Sequence, residues 1–399
     1  MNSFACRAFQ CCFGAGARLL PWRTPEVYTG DGSLLRVADI LRENSLLHPF
    51  VIASRRQCAD EHFRRLQEVL DMQDILLSIF SAVEPNPSVE TVEKIAEQYR
   101  IDRCDCFLVI GGGSPMDAAK AAAALLVRPN RSLSSLAGLL KVRRRIPPFI
   151  AVPTTAGTGS ETTIAAVITG RDHRKYAVSD LCLIPRYAIL DPTLSAGLPP
   201  HITAETGMDA LTHAVEAYLS RFYNTRKTRE QAERAVVTIF SHLERAYRDG
   251  ASLPDRAAML QASFDAGAAF TRASVGNVHA IAHTLGGLYG TAHGLANAVL
   301  LPIVLEDYGA AAYPRLARLA HLVGIQEASA EASARAFIAE IRAMNARMGI
   351  PDHFDCIRSE DIPLMASWAC REANPVYPVP VIYDQARFAR VIERSCVKP

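Results

Sequence analysis

Short apolar runs and helical periodicities alternate through the first half of the chain. Pro49–Ser54 (PFVIAS), Cys106–Ile110 (CFLVI), Phe149–Val152 (FIAV) and Ala188–Leu190 (AIL) are apolar at consecutive positions. A half-exposed strand would alternate, so these runs suit strands buried on both faces. Val89–Tyr99 (VETVEKIAEQY) sets Val89, Val92, Ile95 and Ala96 at helical spacing, and Ser114–Leu126 is a helix packed with alanine. Strand, helix, strand in succession predicts an α/β domain whose parallel sheet is covered on both faces.

Beyond Pro199 the period changes. Glu205–Arg248, Arg256–Arg272, Val278–Leu288, Tyr313–Leu322 and Ala328–Met348 are long, alanine-rich and helical in spacing. Leu194–Pro200 (LSAGLPP) gathers a glycine and two prolines where the pattern switches, which marks a boundary. The expected organisation is an α/β domain over 1–197 and an all-α domain over 198–399, with no internal repeat.

Composition narrows the function. A folded chain of 399 residues, 49% of them hydrophobic, builds its core without disulfides or structural metal. Lys+Arg number 43 and Asp+Glu 41, so a formal charge of +2 excludes a dominant nucleic-acid or anionic-membrane footprint. The most apolar stretches, Ala118–Val127 and Ala296–Leu305, are interrupted by Lys120 and by Asn297 and Pro302, so a soluble protein without a membrane span is expected. The ten cysteines form no CxxC pair, which points to reduced thiols and a cytoplasmic setting. Met1–Pro25 carries Arg7, Arg18 and Arg23 and no acid. It is a faint likeness of a transit peptide, but low serine content and the lack of a signal-type core favour an irregular opening strand.

Four segments carry candidate chemistry. Gly111-Gly112-Gly113-Ser114-Pro115-Met116-Asp117 follows a strand and opens a helix. Its glycines allow backbone N–H groups to approach a phosphate, with Ser114 as expected N-cap and Asp117 at capping-box distance. A plain strand–turn–helix connection would look the same. Pro153–Glu161 (PTTAGTGSE) follows another strand and offers hydroxyl and amide donors without charge, suited to a phosphate or ribose. In open parallel sheets ligands sit beyond the carboxyl ends of strands, where two such loops would meet. In the helical half, Asp209 and His213 stand four residues apart on one helix face. His279, His283 and His293 fall within fifteen residues, with Gly286, Gly287 and Gly290 between them. Imidazoles with one carboxylate suit Fe²⁺ or Zn²⁺ with an open coordination position. Spacing alone leaves His279 with His283 as good a pair as any other.

Taken together, the two Gly/Thr loops, Gly207–Tyr218 (GMDALTHAVEAY) and His279–Pro302 (HAIAHTLGGLYGTAHGLANAVLLP) resemble the iron-containing (group III) alcohol dehydrogenase family. Tyr28–Leu35, Val83–Ser88 (VEPNPS) and Asn374–Pro380 (NPVYPVP) extend the likeness from about residue 26 to about residue 394. The resemblance implies a dinucleotide-binding α/β domain followed by an all-helical metal-binding and substrate domain. It implies Asp209, His213, His279 and His293 as metal ligands, iron first and zinc second, and His283 beside the nicotinamide and substrate as a proton relay. Gly111, Gly112, Gly113, Ser114, Asp117, Thr154, Thr155, Thr158, Lys175 and Asn86 would contact NAD(H) or NADP(H). Small alcohols or aldehydes would be the substrates, with a polyol of the glycerol type as the alternative, and the protein would form a homodimer or larger oligomer. A non-catalytic nucleotide-binding or filament-forming subunit is the reading from another class, and the intact ligand quartet argues against it.

One departure concerns the cofactor. Many members of that family place an acid just after the first strand, where it would accept the ribose hydroxyls; here the chain reads Ile52-Ala53-Ser54-Arg55-Arg56. Without the carboxylate a 2′-phosphate is not repelled, and the arginines could pair with it, which tips the expectation toward NADP. A solvated arginine pair is the plainer alternative.

Overall fold

A computed structural model describes residues 3–171 and 175–396. Its strands are β1 (Glu26–Thr29), β2 (Pro49–Ala53), β3 (Ser78–Phe80), β4 (Cys106–Gly111), β5 (Gly138–Leu139), β6 (Phe149–Pro153), β7 (Ala165–Thr169), β8 (Lys175–Ser179) and β9 (Tyr187–Leu190). The helices are α1 (Ser3–Ala17), α2 (Arg36–Glu43), α3 (Arg55–Cys58), α4 (Glu61–Asp71), α5 (Val89–Ile101), α6 (Gly113–Val127), α7 (Pro200–Leu219), α8 (Arg226–Arg248), α9 (Leu253–Ala273), α10 (Asn277–Tyr289), α11 (His293–Tyr308), α12 (Tyr313–Leu322), α13 (Ala330–Arg347), α14 (Ile362–Ala373) and α15 (Gln385–Arg394). They fall into two compact units, Pro21–Gly197 and Leu198–Pro399 together with Met1–Leu20.

The first unit is built on a parallel sheet of order β1-β9-β6-β4-β2-β3. Its continuous apolar runs are explained by helices on both faces. Phe50, Ile52, Phe107, Val109, Phe149 and Ala151 join the core that takes in α5 and α6, whereas Val51, Cys106, Leu108, Ile110, Ile150 and Val152 join the core that takes in α2 and α4. A smaller sheet, β5-β8-β7, pairs β7 and β8 antiparallel. Its strands are short and partly exposed, so the apolar-run signal passes over them.

The second unit is helical. The long periodic stretch expected over Glu205–Arg248 is broken at Ser220–Thr225, where Thr225 caps α8 by accepting from the Thr228 amide. Gly207 is fixed by packing: a Cβ there would lie 2.2 Å from Leu243 Cδ1, so only glycine lets α7 and α8 approach this closely.

The N-terminal expectation is corrected. Residues 3–17 form a helix, not an irregular strand, and the first twenty residues group with the helical unit, not with the α/β domain assigned to 1–197. Cys6, Gln10, Gly14 and Ala17 make a narrow buried stripe of small and polar side chains, which hydrophobic periodicity does not register. Arg7 and Gln10 then donate to the carbonyls of Val379 and Pro380 and of Pro375 and Tyr377, fastening α1 to that segment.

Candidate active site

In the α/β unit the loops beyond β4 and β6 interlock. The Thr154 amide donates to the Gly111 carbonyl at 3.1 Å. A Cβ on Gly112 would stand 3.1 Å from Thr155 Oγ1, and one on Gly113 would stand 3.0 Å from Thr158 Cγ2. The glycines therefore let the second loop close over the first. Gln57 Nε2 donates to Thr154 Oγ1 at 3.0 Å, while Gln57 Oε1 accepts from the Ser54 amide at 2.7 Å, which links the turn after β2 to the same loops. Asn86, at φ 58 in the left-handed region, donates through its amide to Ser114 Oγ, and Lys175 Nζ donates to Asn86 Oδ1 at 2.7 Å. Ser54, Asn86, Gly111–Ser114, Thr154, Thr155, Thr158 and Lys175 thus belong to one connected set of loops and element ends.

Two local expectations are corrected. Ser114 does not cap α6: the helix starts at Gly113 behind Gly112, with no side-chain cap. Asp117 makes no capping box. Its Oδ1 accepts from Ser160 Oγ and its Oδ2 from the Val167 amide, so this carboxylate braces the Thr-rich loop from below. Lys120, buried in α6, supports the same loop, with Nζ 2.8 Å from Thr163 Oγ1 and 3.0 Å from the Thr163 carbonyl. Burial drives Lys120 down to about 8 and the adjacent buried Glu161 up to about 7.

In the helical unit, Asp209 and His213 come from α7, His279 from α10 and His293 from the start of α11. One ligand atom from each lies within 4.8 Å of all the others. Asp209 Oδ1 is 3.9 Å from His213 Nδ1, 3.8 Å from His279 Nε2 and 3.6 Å from His293 Nε2. Glycines make this convergence possible. Gly290 ends α10 at φ +66, and a Cβ on Gly294 would lie 2.3 Å from the Glu205 carbonyl oxygen, so α11 can set His293 against α7 only with glycine there. His213 stacks on Phe270 with ring centroids 4.1 Å apart, which fixes the plane of its imidazole.

Residues not singled out by the sequence complete the cluster. Glu216 Oε2 accepts from His279 Nδ1 at 2.6 Å and from the Gly276 amide at 2.7 Å, and Oε1 accepts from the Val278 amide at 2.8 Å. Asn297 Nδ2, a donor, lies 3.2 Å from His279 Nε2, so Nε2 carries the lone pair that faces Asp209 and His293 and Nδ1 carries the proton. Burial holds His279 well below the usual histidine range, in the neutral form that ligates metal. Burial opposes the charged form of Glu216, and the hydrogen bonds that it accepts from the Gly276 and Val278 amides favour it. Asn297 Nδ2 donates to Asp209 Oδ1 at 2.7 Å and lies 3.2 Å from both His279 Nε2 and His293 Nε2. Glu216 follows Asp209 by seven residues and Asn297 follows His293 by four, so both share a helix face with a member of the cluster and were legible in principle. Three imidazoles and one carboxylate aimed at one point, all buried but the half-buried His293, fit Fe²⁺ or Zn²⁺.

His283 stacks on His293 at 5.3 Å between centroids. Its Nδ1 lies 2.6 Å from Glu372 Oε1, which also accepts from Tyr377 Oη at 2.7 Å. Among the described residues no helix is long and apolar enough to cross a membrane.

Known proteins resemble this chain over most of its length. Residues 24–192 match the family model "Iron-containing alcohol dehydrogenase", and residues 203–394 match "Fe-containing alcohol dehydrogenase family, C-terminal". The chain is 40% identical over 306 residues to a 1,3-propanediol dehydrogenase of Klebsiella pneumoniae, covering 75% of this chain and 78% of that one. It is 36% identical over 308 residues to an NAD-dependent methanol dehydrogenase of Bacillus methanolicus, covering 75% and 80%. A crystal structure of 1,3-propanediol oxidoreductase superposes with a TM-score of 0.89 at 32% identity, over 95% of this chain and 100% of that one.

Proposed function

The chain belongs to the iron-containing alcohol dehydrogenase family, and from that premise we propose that Asp209, His213, His279 and His293 hold its metal while the Gly111–Ser114 and Thr154–Thr158 loops hold its nicotinamide cofactor. The protein is a metal-dependent alcohol dehydrogenase that interconverts an alcohol and its carbonyl compound. One observation carries the metal assignment: four ligand atoms from three helices converge within 4.8 Å. The bound ion supplies Lewis acidity toward the substrate oxygen, and the nicotinamide supplies or takes the hydride.

The chain's own residues prepare that chemistry. Glu216 fixes the His279 tautomer, and Asn297 holds the Asp209 carboxylate toward the three imidazoles. Glu372 holds Nδ1 of His283, so Nε2 is the atom at which this histidine takes or returns the substrate proton. Asn86, Ser114 and Lys175 give the dinucleotide backbone neutral donors and one positive charge. Small alcohols and aldehydes are the proposed substrates, since relatives are named for propanediol and methanol. A polyol such as glycerol requires the same chemistry and a different pocket.

Ser54 and the adjacent arginines favour NADP(H) over NAD(H). Ser54 caps α3, a turn that bears Arg55 and Arg56 and no acid. Assembly as a homodimer or larger oligomer follows the family resemblance, and ten free thiols suit a reducing compartment such as the cytoplasm.

The test is metal analysis paired with a cofactor-oxidation screen on small aldehydes and polyols. One divalent ion per chain, iron ahead of zinc, is expected in the wild type. His279→Ala and His293→Ala should each lose metal and turnover; unchanged turnover in either would overturn the assignment.

A further inference from the structure

A cavity of about 540 Å³ opens in the α/β unit where Arg23, Arg143, Arg144, Arg145 and Arg186 converge from three separate segments. None of the five forms an ion pair among the described residues. The carboxylate in the lining, Asp180, is 4% exposed and turned inward: Oδ2 accepts from the Val142 and Arg143 amides, and Oδ1 from the Cys182 amide. It neutralises no guanidinium. Arg23 donates to the carbonyls of Ile184 and Pro185 and Arg144 to that of Val127, which fixes those side chains without supplying counter-charge. Arg23, Arg143, Arg144, Arg145 and Arg186 are all exposed at the mouth of the recess, so their charges face an incoming ligand.

The position separates this cavity from the cofactor loops. Pro147–Phe149 lead into β6 and Arg186 precedes β9, so the arginines stand at the amino ends of the strands. Gly111–Ser114 and Thr154–Thr158 follow the carboxyl ends. Five residues of β6 separate the two ends by about 15 Å. Cys182 in the wall is pushed up to about 12 by burial and Asp180, so it is no nucleophile and the cavity no covalent site.

We propose that this cavity is a second ligand site, which binds a compact polyanion carrying two or more phosphate groups through the forks of Arg144, Arg145 and Arg186, with Arg23 adding positive charge. Planar guanidiniums match phosphate oxygens in pairs, and several of them around one recess select for multiple charge over a single anion. The volume suits a small metabolite.

The test is calorimetry on the metal-loaded enzyme saturated with NADPH, which keeps the cofactor loops filled. The probe is fructose 1,6-bisphosphate, with fructose and with sulfate at matched ionic strength as controls. One bisphosphate per chain is expected, with no binding of fructose, and at least tenfold weaker binding in Arg144→Glu/Arg145→Glu and in Arg186→Ala. The NADPH dissociation constant of those variants should match the wild type, showing that the unit is folded. Wild-type affinity in both variants, or sulfate reproducing the bisphosphate signal, overturns the proposal.

Discussion

Glu216 Oε2 stands 2.6 Å from Nδ1 of His279, and this contact determines which imidazole nitrogen is left to face Asp209. The same carboxylate accepts from the Gly276 and Val278 amides, so it anchors the turn into α10 as well as the ring that α10 presents. A Cβ on Gly276 would fall 2.7 Å from Glu216 Oε1, so the glycine is what admits the carboxylate.

Glu216→Gln should lower metal affinity by about ten- to hundredfold, the usual cost of losing an outer-shell carboxylate. Asn297→Ala should do the same through Asp209, whose Oδ1 loses a 2.7 Å donor. Competition with a chromogenic chelator measures both. Wild-type metal affinity in Glu216→Gln would leave the carboxylate with a structural role only.

His283 is expected to behave differently from its neighbours. It shares a helix face with His279, yet its Nδ1 is engaged by Glu372 rather than by Glu216. His283→Gln should retain metal while slowing turnover or moving its pH profile. Loss of the ion instead would make His283 a ligand, and the quartet would have to be redrawn.

A further prediction concerns stability in the α/β unit. Glu161 is 1% exposed, and burial raises its carboxyl from 4.5 to about 7. Between those values the folded chain keeps a proton that the unfolded chain releases, so rising pH destabilises the fold through this window and no further above it. The full effect is about 3 kcal/mol as an order of magnitude. Glu161→Gln keeps the shape and removes the titration. Denaturation at pH 5 and pH 8 should show the variant gaining on the wild type by one to a few kcal/mol at the higher pH, roughly as that shift implies. An equal pH response in both proteins would refute it.

Local sequence encodes part of this fold and of its candidate site. Buried strands announced themselves because Phe50, Val51 and Ile52 alternate between two apolar cores, giving an unbroken run. The expected quartet also converges, since Asp209 and His213 share one turn of α7 and Gly290 and Gly294 permit the return to His293. What stayed hidden depends on contacts distant in sequence. Glu372 lies 89 residues from His283, and the Gln10 side chain reaches Pro375 across 365. No local period encodes such pairs, and α1 buries a stripe too small and polar to read as a helix face. Asp117 shows the opposite failure: a capping-box spacing was present, but Ser160 and Val167 claimed the carboxylate.

The proposed preference for NADP(H) rests on the residue after β2. Ser54 Oγ accepts from the Gln57 amide at 3.2 Å, so the hydroxyl caps α3 and keeps its own proton to donate. A carboxylate at this position would bind the 2′- and 3′-hydroxyls of NAD and repel a 2′-phosphate. Arg56 leans toward the Gly197 carbonyl at 3.5 Å, a contact weak enough to give up to a phosphate. One well-formed charge-assisted bond from Arg55 or Arg56 contributes about 1.5–3 kcal/mol. That corresponds to a preference of roughly ten- to hundredfold for NADPH over NADH in kcat/KM. Ser54→Asp is the informative variant, because aspartate caps a helix as well as serine does and the turn is preserved. Steady-state kinetics with both cofactors should show the preference in the wild type and its reversal in Ser54→Asp. Equal or better efficiency with NADH in the wild type would show that the two arginines are only solvated.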